Sequence, residues 1–313
     1  MKKRYKLLLI TTAIAAVLIA TFAPFVTIAI AEERHFIDQM GRNVVVPKNP
    51  RRIISLAPNI TEILFAINAG DRVVGVSEFS NYPDAALSLP KVGTYIKPNL
   101  ERIIELSPDI VIATSDGEKE KEVKKLQTLG IGVYVINPTD FFGIIATVRE
   151  IGTLVSSEVK AEEVALGMEK KINEVRVKVS GLKKVKVLLT FSMEPIITMS
   201  SGTFQDDMIK LAGGTNIAAN VRIRYPRFSV EEIIVRAPEV IVVTSMSPGD
   251  DLKKADELWS RFGTIPAVKT GRIYMINSDI VDRPAPRIVE GLYELARLLH
   301  PEAFPEEGGN DEN

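Results

Sequence analysis

Two carboxylates occupy matched places in this chain. Glu101 stands two residues after Asn99 in Asn99-Leu-Glu-Arg-Ile-Ile-Glu-Leu-Ser-Pro-Asp-Ile-Val-Ile-Ala-Thr114. Glu231 stands two residues after Ser229 in Ser229-Val-Glu-Glu-Ile-Ile-Val-Arg-Ala-Pro-Glu-Val-Ile-Val-Val-Thr244. An acidic side chain in the first turn of a helix is stabilised by the helix dipole, and Ser229-x-x-Glu232 is a capping box, so local structure can account for both. Their symmetric placement also suits a second task. One exposed carboxylate per repeat could salt-bridge to arginines on a two-fold symmetric partner.

A second set of residues is aromatic and sits between elements: Glu78-Phe-Ser-Asn-Tyr82, Gly93-Thr-Tyr95, Phe191 and Arg224-Tyr-Pro-Arg-Phe228. Rings in loops either bury against their own fold or wall a site for a flat, largely apolar ligand. Asp279-Ile-Val-Asp-Arg-Pro-Ala-Pro-Arg287 adds charge on a proline-stiffened loop. There Arg283 or Arg287 could hold a carboxylate or phosphate of a ligand, or could pair with Asp282.

Several chemistries lack their tools. The chain has two histidines, His35 and His300, and neither falls in a loop after a strand, where an open α/β sheet places its chemistry. A histidine-rich metal site and a Ser-His-Asp triad are therefore not expected. Cysteine is absent, which excludes a disulfide frame, a thiol nucleophile and a lipid-modified cysteine anchor. Neither G-x-G-x-x-G nor G-x-x-x-x-G-K-[ST] occurs, so the usual phosphate cradles are missing. An α/β enzyme is left without its usual tools and would have only carboxylates, lysines and hydroxyls to work with; no catalytic residue, no metal ligands and no resident cofactor are expected.

The elements that must position these residues follow from the repeat. Each copy reads as a short helix that stops before a proline and enters a β-branched strand, the kind buried on both faces of a parallel sheet. Around the first copy, Phe36–Pro47 alternates about Gly41 as a hairpin, and Ile53–Leu56, Val73–Val76 and Val133–Ile136 read as strands. Helices are expected over Thr61–Ala69 and around Val123–Leu129. Around the second copy, Val185–Phe191 and Arg272–Asn277 read as strands, with helices over Thr203–Leu211 and Ala285–Leu299. Between the two sets, Val164, Met168, Ile172, Val175 and Val179 form one apolar stripe with no breaker before Gly181. This predicts a strut about 24 residues and ~36 Å long.

The organisation expected is an N-terminal lobe over 35–156, a linking helix over 157–181, a C-terminal lobe over 182–303 and a disordered tail over 304–313. Before them, Lys2, Lys3, Arg4 and Lys6 precede an uncharged apolar run of 25 residues from Leu7 to Ala31. Ala29-Ile-Ala31 has the small-x-small form of a cleavage site, while the run is long enough to serve as an uncleaved anchor. Removing residues 1–31 takes away four of the 39 basic residues and no acidic ones, leaving 35 against 40 and a net charge of −5. Nucleic acid is not the expected partner of such a surface.

Asp38-x-x-Gly41-Arg42-x-Val44, Arg52-Ile-Ile-Ser-Leu-Ala-Pro-Asn59, Thr61-Glu62, Val74-Gly-Val76, Tyr82-Pro83, Asn99-Leu-Glu-Arg-Ile103, Pro108-Asp109 and Pro286-Arg287 together resemble the substrate-binding proteins of cobalamin and iron-siderophore ABC importers. The resemblance runs from about Phe36 to Leu299 and is greatest to the cobalamin-binding branch. It implies an α/β fold of two Rossmann-like lobes with parallel sheets, joined by one long helix, with the ligand in the cleft between them. It further implies a monomer that binds cobalamin or another metal chelate as cargo. The cargo would pass to a permease dimer with its ATPase subunits. Carried over by position, Glu101 and Glu231 would dock on permease arginines. Phe79, Tyr95 and Tyr225 would contact the ligand, with polar contacts from the loop of Asp279, Ile280, Val281, Asp282 and Arg283. Tyr95 and Tyr225 stand where that branch often has tryptophan. The basic stretch Arg222-x-Arg224-Tyr-Pro-Arg227 would suit an anionic ferric siderophore or haem.

Overall fold

The computed structural model describes residues 32–115, 120–245 and 248–305. The export segment expected over 1–31 lies outside them, as does the tail from residue 306 onward. The described residues begin with an antiparallel hairpin, β1 (Glu33–Ile37) and β2 (Asn43–Pro47), in the register Phe36↔Val44. Gly41 supplies the positive φ of 77° that its turn requires.

Four apolar runs then form a parallel sheet: β3 (Ile53–Ser55), β4 (Val73–Val76), β5 (Ile110–Thr114) and β6 (Gly132–Ile136), in the order β4-β3-β5-β6. Ile53, Ile54, Ile110, Val111 and Ile112 have no exposed surface, as expected of strands covered on both faces. Between strands lie α1 (Pro58–Ala66), α2 (Leu100–Glu105) and α3 (Glu120–Thr128). Helix α1 starts three residues before the expected Thr61 because Pro58 takes the first helical position, where a missing N–H costs nothing. It also stops early, and Asn68 turns the chain with a left-handed φ of 58°.

After β6, α4 (Phe141–Leu154) leads directly into α5 (Glu158–Val179), the expected long helix, 22 residues in length. Its buried stripe is Ala161, Ala165, Met168, Ile172, Val175 and Val179, while Val164 is only partly covered. One end of α5 packs on α4, where Gly152 leaves no space for a Cβ against Ala161.

The second lobe contains β7 (Val185–Met193), β8 (Ile196–Thr198), α6 (Phe204–Leu211), β9 (Gly214–Asn216), α7 (Val230–Arg236), β10 (Val240–Ser245), α8 (Pro248–Trp259), α9 (Pro266–Lys269), β11 (Ile273–Asn277), α10 (Ser278–Val281) and α11 (Ile288–Leu299). Its sheet runs β11-β10-β7, all parallel. The far edge of β7 is shared by parallel β9 and antiparallel β8. Helix α5 also packs on α11 and α6, so it touches both lobes.

One apolar cluster continues from α1 and α4 through α5 to α6 and α11. Each sheet has a further cluster on its other face, around Ile54, Ile103 and Leu126 in one and around Leu188, Ile241 and Trp259 in the other. Phe304, expected to open a disordered tail, belongs to the fold. Phe304 is buried, edge-on to Tyr293 at 5.2 Å, with the Lys178 ammonium 4.9 Å above its ring. A large ring one residue past a short turn buries readily, and the charged residues after it carried the expectation too far back.

Candidate functional site

The carboxyl ends of strands from both sheets face one gap. The loops after β3 and β4, the last residue of β5, Phe191 near the end of β7, and α10 with the residues after it line a cavity of about 510 Å³. This is where open α/β sheets hold ligands, and the volume is in the ordinary range for a small-molecule site.

Its walls are aromatic on both sides. Phe79 and Tyr95 of the first lobe meet edge to face with ring centroids 6.5 Å apart. Phe191 and Tyr225 of the second repeat that arrangement at 6.0 Å. Phe79, Tyr95 and Phe191 line the cavity directly, and Tyr225 backs Phe191. All four rings remain about two-fifths exposed, which leaves apolar faces available to a ligand. Phe191 was visible in the sequence as a ring at a strand end. Its pairing with Tyr225 needs the extended segment 224–228, which runs beside β8 through Ser200 N–H to Arg224 O at 2.8 Å and Thr198 N–H to Pro226 O at 3.1 Å.

Of the five positions expected to supply polar or apolar contacts, Asp279, Asp282 and Arg283 line the cavity. Val281 does not, since its side chain is wholly buried in the core, and Ile280 packs against that same core. The reason is helical: residues 278–281 form a turn, α10, so consecutive side chains point in different directions instead of all facing the cleft.

Arg283 and Arg287 do not pair with Asp282. Both turn to Glu62 of α1, a residue not assigned any role from sequence. Arg287 donates Nε and Nη2 to the two Glu62 carboxylate oxygens at 2.9 and 2.8 Å, and Arg283 Nη1 adds a contact at 3.2 Å. Glu62 raises the proton affinity of the Arg287 guanidinium, which also lies 3.7 Å over the Tyr82 ring. The Asp282 carboxylate instead accepts from the Thr244 hydroxyl at 2.6 Å and from Gln205 Nε2 at 3.3 Å. Burial pushes its carboxyl above the usual range, against the pull of those two donors and with the Asp279 charge adding to the rise.

Glu101 and Glu231 lie in the first turns of α2 and α7, and both are exposed. Asn99 Oδ1 caps α2 by accepting from Arg102 N–H, and Ser229 Oγ caps α7 by accepting from Glu232 N–H. The reciprocal half of the expected capping box is absent, because the Glu232 carboxylate pairs with Arg236. Glu231 instead accepts from its own backbone N–H and from the Ser229 hydroxyl, which hold its carboxyl below the usual range.

Among the described residues no cluster of His, Asp and Glu could hold a metal ion, and no helix is long and apolar enough to cross a membrane.

The chain is similar to known proteins over most of its length. The vitamin B12-binding protein of Vibrio parahaemolyticus is 32% identical over 245 residues, covering 78% of this chain and 87% of that protein. The crystal structure of the periplasmic vitamin B12 binding protein of Vibrio cholerae matches with a TM-score of 0.73 and 28% identity, over 83% of this chain and 100% of that one. A possible iron-binding periplasmic solute-binding protein of Staphylococcus epidermidis matches with a TM-score of 0.72 and 30% identity, over 81% and 100%. Residues 53–280, the span holding both sheets and the aromatic pairs, match the model of one family, and the chain belongs to it: the periplasmic binding proteins.

Proposed function

We propose that this protein is the substrate-binding component of an ABC importer, and that its cargo is cobalamin or a related corrinoid. A cleft at the carboxyl ends of two sheets, walled on each side by an aromatic pair, carries the reading. A corrinoid presents broad apolar faces and a rim of amide arms. Rings from opposite lobes would pack on the faces, while Asp279 and Arg283 would meet the polar arms. The vitamin B12-binding relatives support this cargo. No covalent step is needed, and the protein would act by capture and delivery as a monomer. The loaded protein would dock on a permease dimer with its ATPase subunits through Glu101 and Glu231. Its place of work would be the periplasm, reached through the segment 1–31, which is either cleaved or kept as a tether.

A second cargo is favoured by one observation. Arg222, Arg224 and Arg227 are exposed around Tyr225 and form no ion pair among the described residues. Such a rim suits an anionic ferric chelate. Calorimetric titration with cyanocobalamin, a ferric siderophore and haem decides between them. Tight one-to-one binding of cyanocobalamin alone is expected. Preference for an iron chelate would transfer the same cleft to that cargo, and binding of none would remove the importer reading.

A further inference from the structure

The cavity lies on one side of a charged cluster that joins the lobes. Glu62 belongs to α1 in the first lobe, and its side chain is only 2% exposed. Arg283 and Arg287 come from the second lobe, 221 and 225 positions later. Arg287 is spent on Glu62 through a two-pronged contact and stacks on Tyr82 of the first lobe. Arg283 is shared: Nη1 also reaches Asn81 Oδ1 at 2.6 Å, and Nη2 reaches Asp279 Oδ1 at 2.6 Å. Asn81 Nδ2 closes the ring by donating to Asp279 Oδ2 at 3.1 Å. Arg283 and Asp279 line the ligand cavity. Glu62 and Arg287 line a separate hollow of about 460 Å³ on the side of Met168 and Lys171 of α5. The cluster is therefore the partition between the cleft and the linking helix.

We infer that Glu62 is a positioning residue of the cleft: it fixes the separation of the two lobes and holds Arg283 and Asp279 aimed at the ligand. Two arguments lead there. A buried ion pair contributes little net stability over an apolar substitute, yet it demands one geometry, so its effect is on registry more than on folding energy. A planar guanidinium fork on a carboxylate resists both sliding and twisting, which a single helix packed on both lobes does not by itself prevent. Asn81 and Asp279 transmit that constraint to the cavity wall. The effect on the cargo rests on the corrinoid reading, whereas the effect on lobe separation does not.

The absence of cysteine makes a direct test simple. Ile96→Cys in the first lobe and Ile223→Cys in the second are at exposed positions, and spin labels there report the distance across the cleft. With Glu62 present, one narrow distance distribution is expected. Glu62→Gln should broaden it, and so should Arg287→Lys, which keeps the charge and guards against a variant that merely fails to fold. Cyanocobalamin affinity should fall on the order of tenfold in both, the scale seen when a supporting contact to a ligand-holding group is removed. Arg283→Gln should weaken binding in the wild-type background and add little once Glu62→Gln is present, whereas a purely structural Glu62 gives additive losses. Unchanged distance distributions in both folded variants, or additive losses, would overturn the inference. Failure of the wild-type protein to bind cyanocobalamin would overturn the cargo alone, and the distances would still decide the role of Glu62.

Discussion

Thr244, the last residue but one of β10, donates its hydroxyl to Asp282 Oδ2 at 2.6 Å, and so ties the floor of the second lobe to the loop that lines the cleft. Gln205 donates to the other oxygen of the same carboxylate, while its own Oε1 is buried without a partner. The carboxylate is thus surrounded by donors but poorly solvated, and burial dominates by raising its proton affinity.

A stability dependence on pH follows. Because the folded protein binds this proton more tightly than the unfolded chain, Asp282 favours the folded state most at pH below the ordinary value of 3.8. That contribution is lost as pH rises from there through the raised folded value. Asp282→Asn should therefore gain stability relative to wild type as pH rises. At pH 7 the gain should be about 1 kcal/mol, since an amide there keeps the acceptor for Thr244 and, once the Gln205 amide turns over to present Oε1 in place of Nε2, donates an N–H to it. Urea unfolding of both proteins at pH 4 and pH 7 measures it, and a difference independent of pH would contradict the account.

The aromatic walls should carry affinity without carrying the fold. Phe79 and Phe191 are 47% and 42% exposed, so truncation leaves little cavity in either lobe. Phe79→Ala and Phe191→Ala are each expected to weaken cyanocobalamin binding roughly tenfold or more, while unfolding free energies change by less than about 1 kcal/mol. Calorimetry paired with thermal melts reads both quantities. Full affinity in the two variants would place the ligand elsewhere.

Packing behind the site should matter as much as the site itself. The backbone oxygen of Ile280 in α10 lies where a Cβ on Gly291 of α11 would fall. Gly291→Ala must displace α10 and with it Asp279, whose oxygens meet Arg283 and Asn81. A loss of about 1–3 kcal/mol in stability is expected, with weaker ligand binding. Gly167→Ala in α5 is the contrast, since nothing lies within 4 Å of a Cβ there. It should stabilise the helix by roughly 0.5–1 kcal/mol. Equal effects from the two substitutions would show that close packing at Gly291 is not what holds α10.

The fold was legible where one period dominates. The duplicated helix–proline–strand units at Asn99–Thr114 and Ser229–Thr244 and the stripe from Met168 to Val179 depend on neighbours within a few residues, and the structure keeps them. Pairs made across the lobes leave no such trace. Glu62 reads as an ordinary helix carboxylate, and nothing near it in the chain shows that its partners lie more than 220 positions away. Val281 failed for a different reason. A loop-like stretch with charges at Asp279, Asp282 and Arg283 conceals one helical turn, and the turn sends its valine inward.

Glu101 and Glu231 should separate capture from delivery. Neither lines the cleft, and each is exposed in the first turn of a helix that is capped by another residue, Asn99 or Ser229. Ligand binding has no reason to depend on them, and their removal should leave the protein folded with little change in its thermal melt. Exposed carboxylates act at a distance, through encounter with cationic groups and through orientation, and that action weakens with added salt. The double variant Glu101→Ala with Glu231→Ala should therefore bind cyanocobalamin as the wild type does, yet support uptake through the importer at least about tenfold more slowly, with single variants between. Association of the wild-type protein with the permease should fall as ionic strength rises, and the double variant should lose that dependence. Undiminished uptake by the double variant would dismiss docking through this pair while leaving the cleft and its cargo untouched.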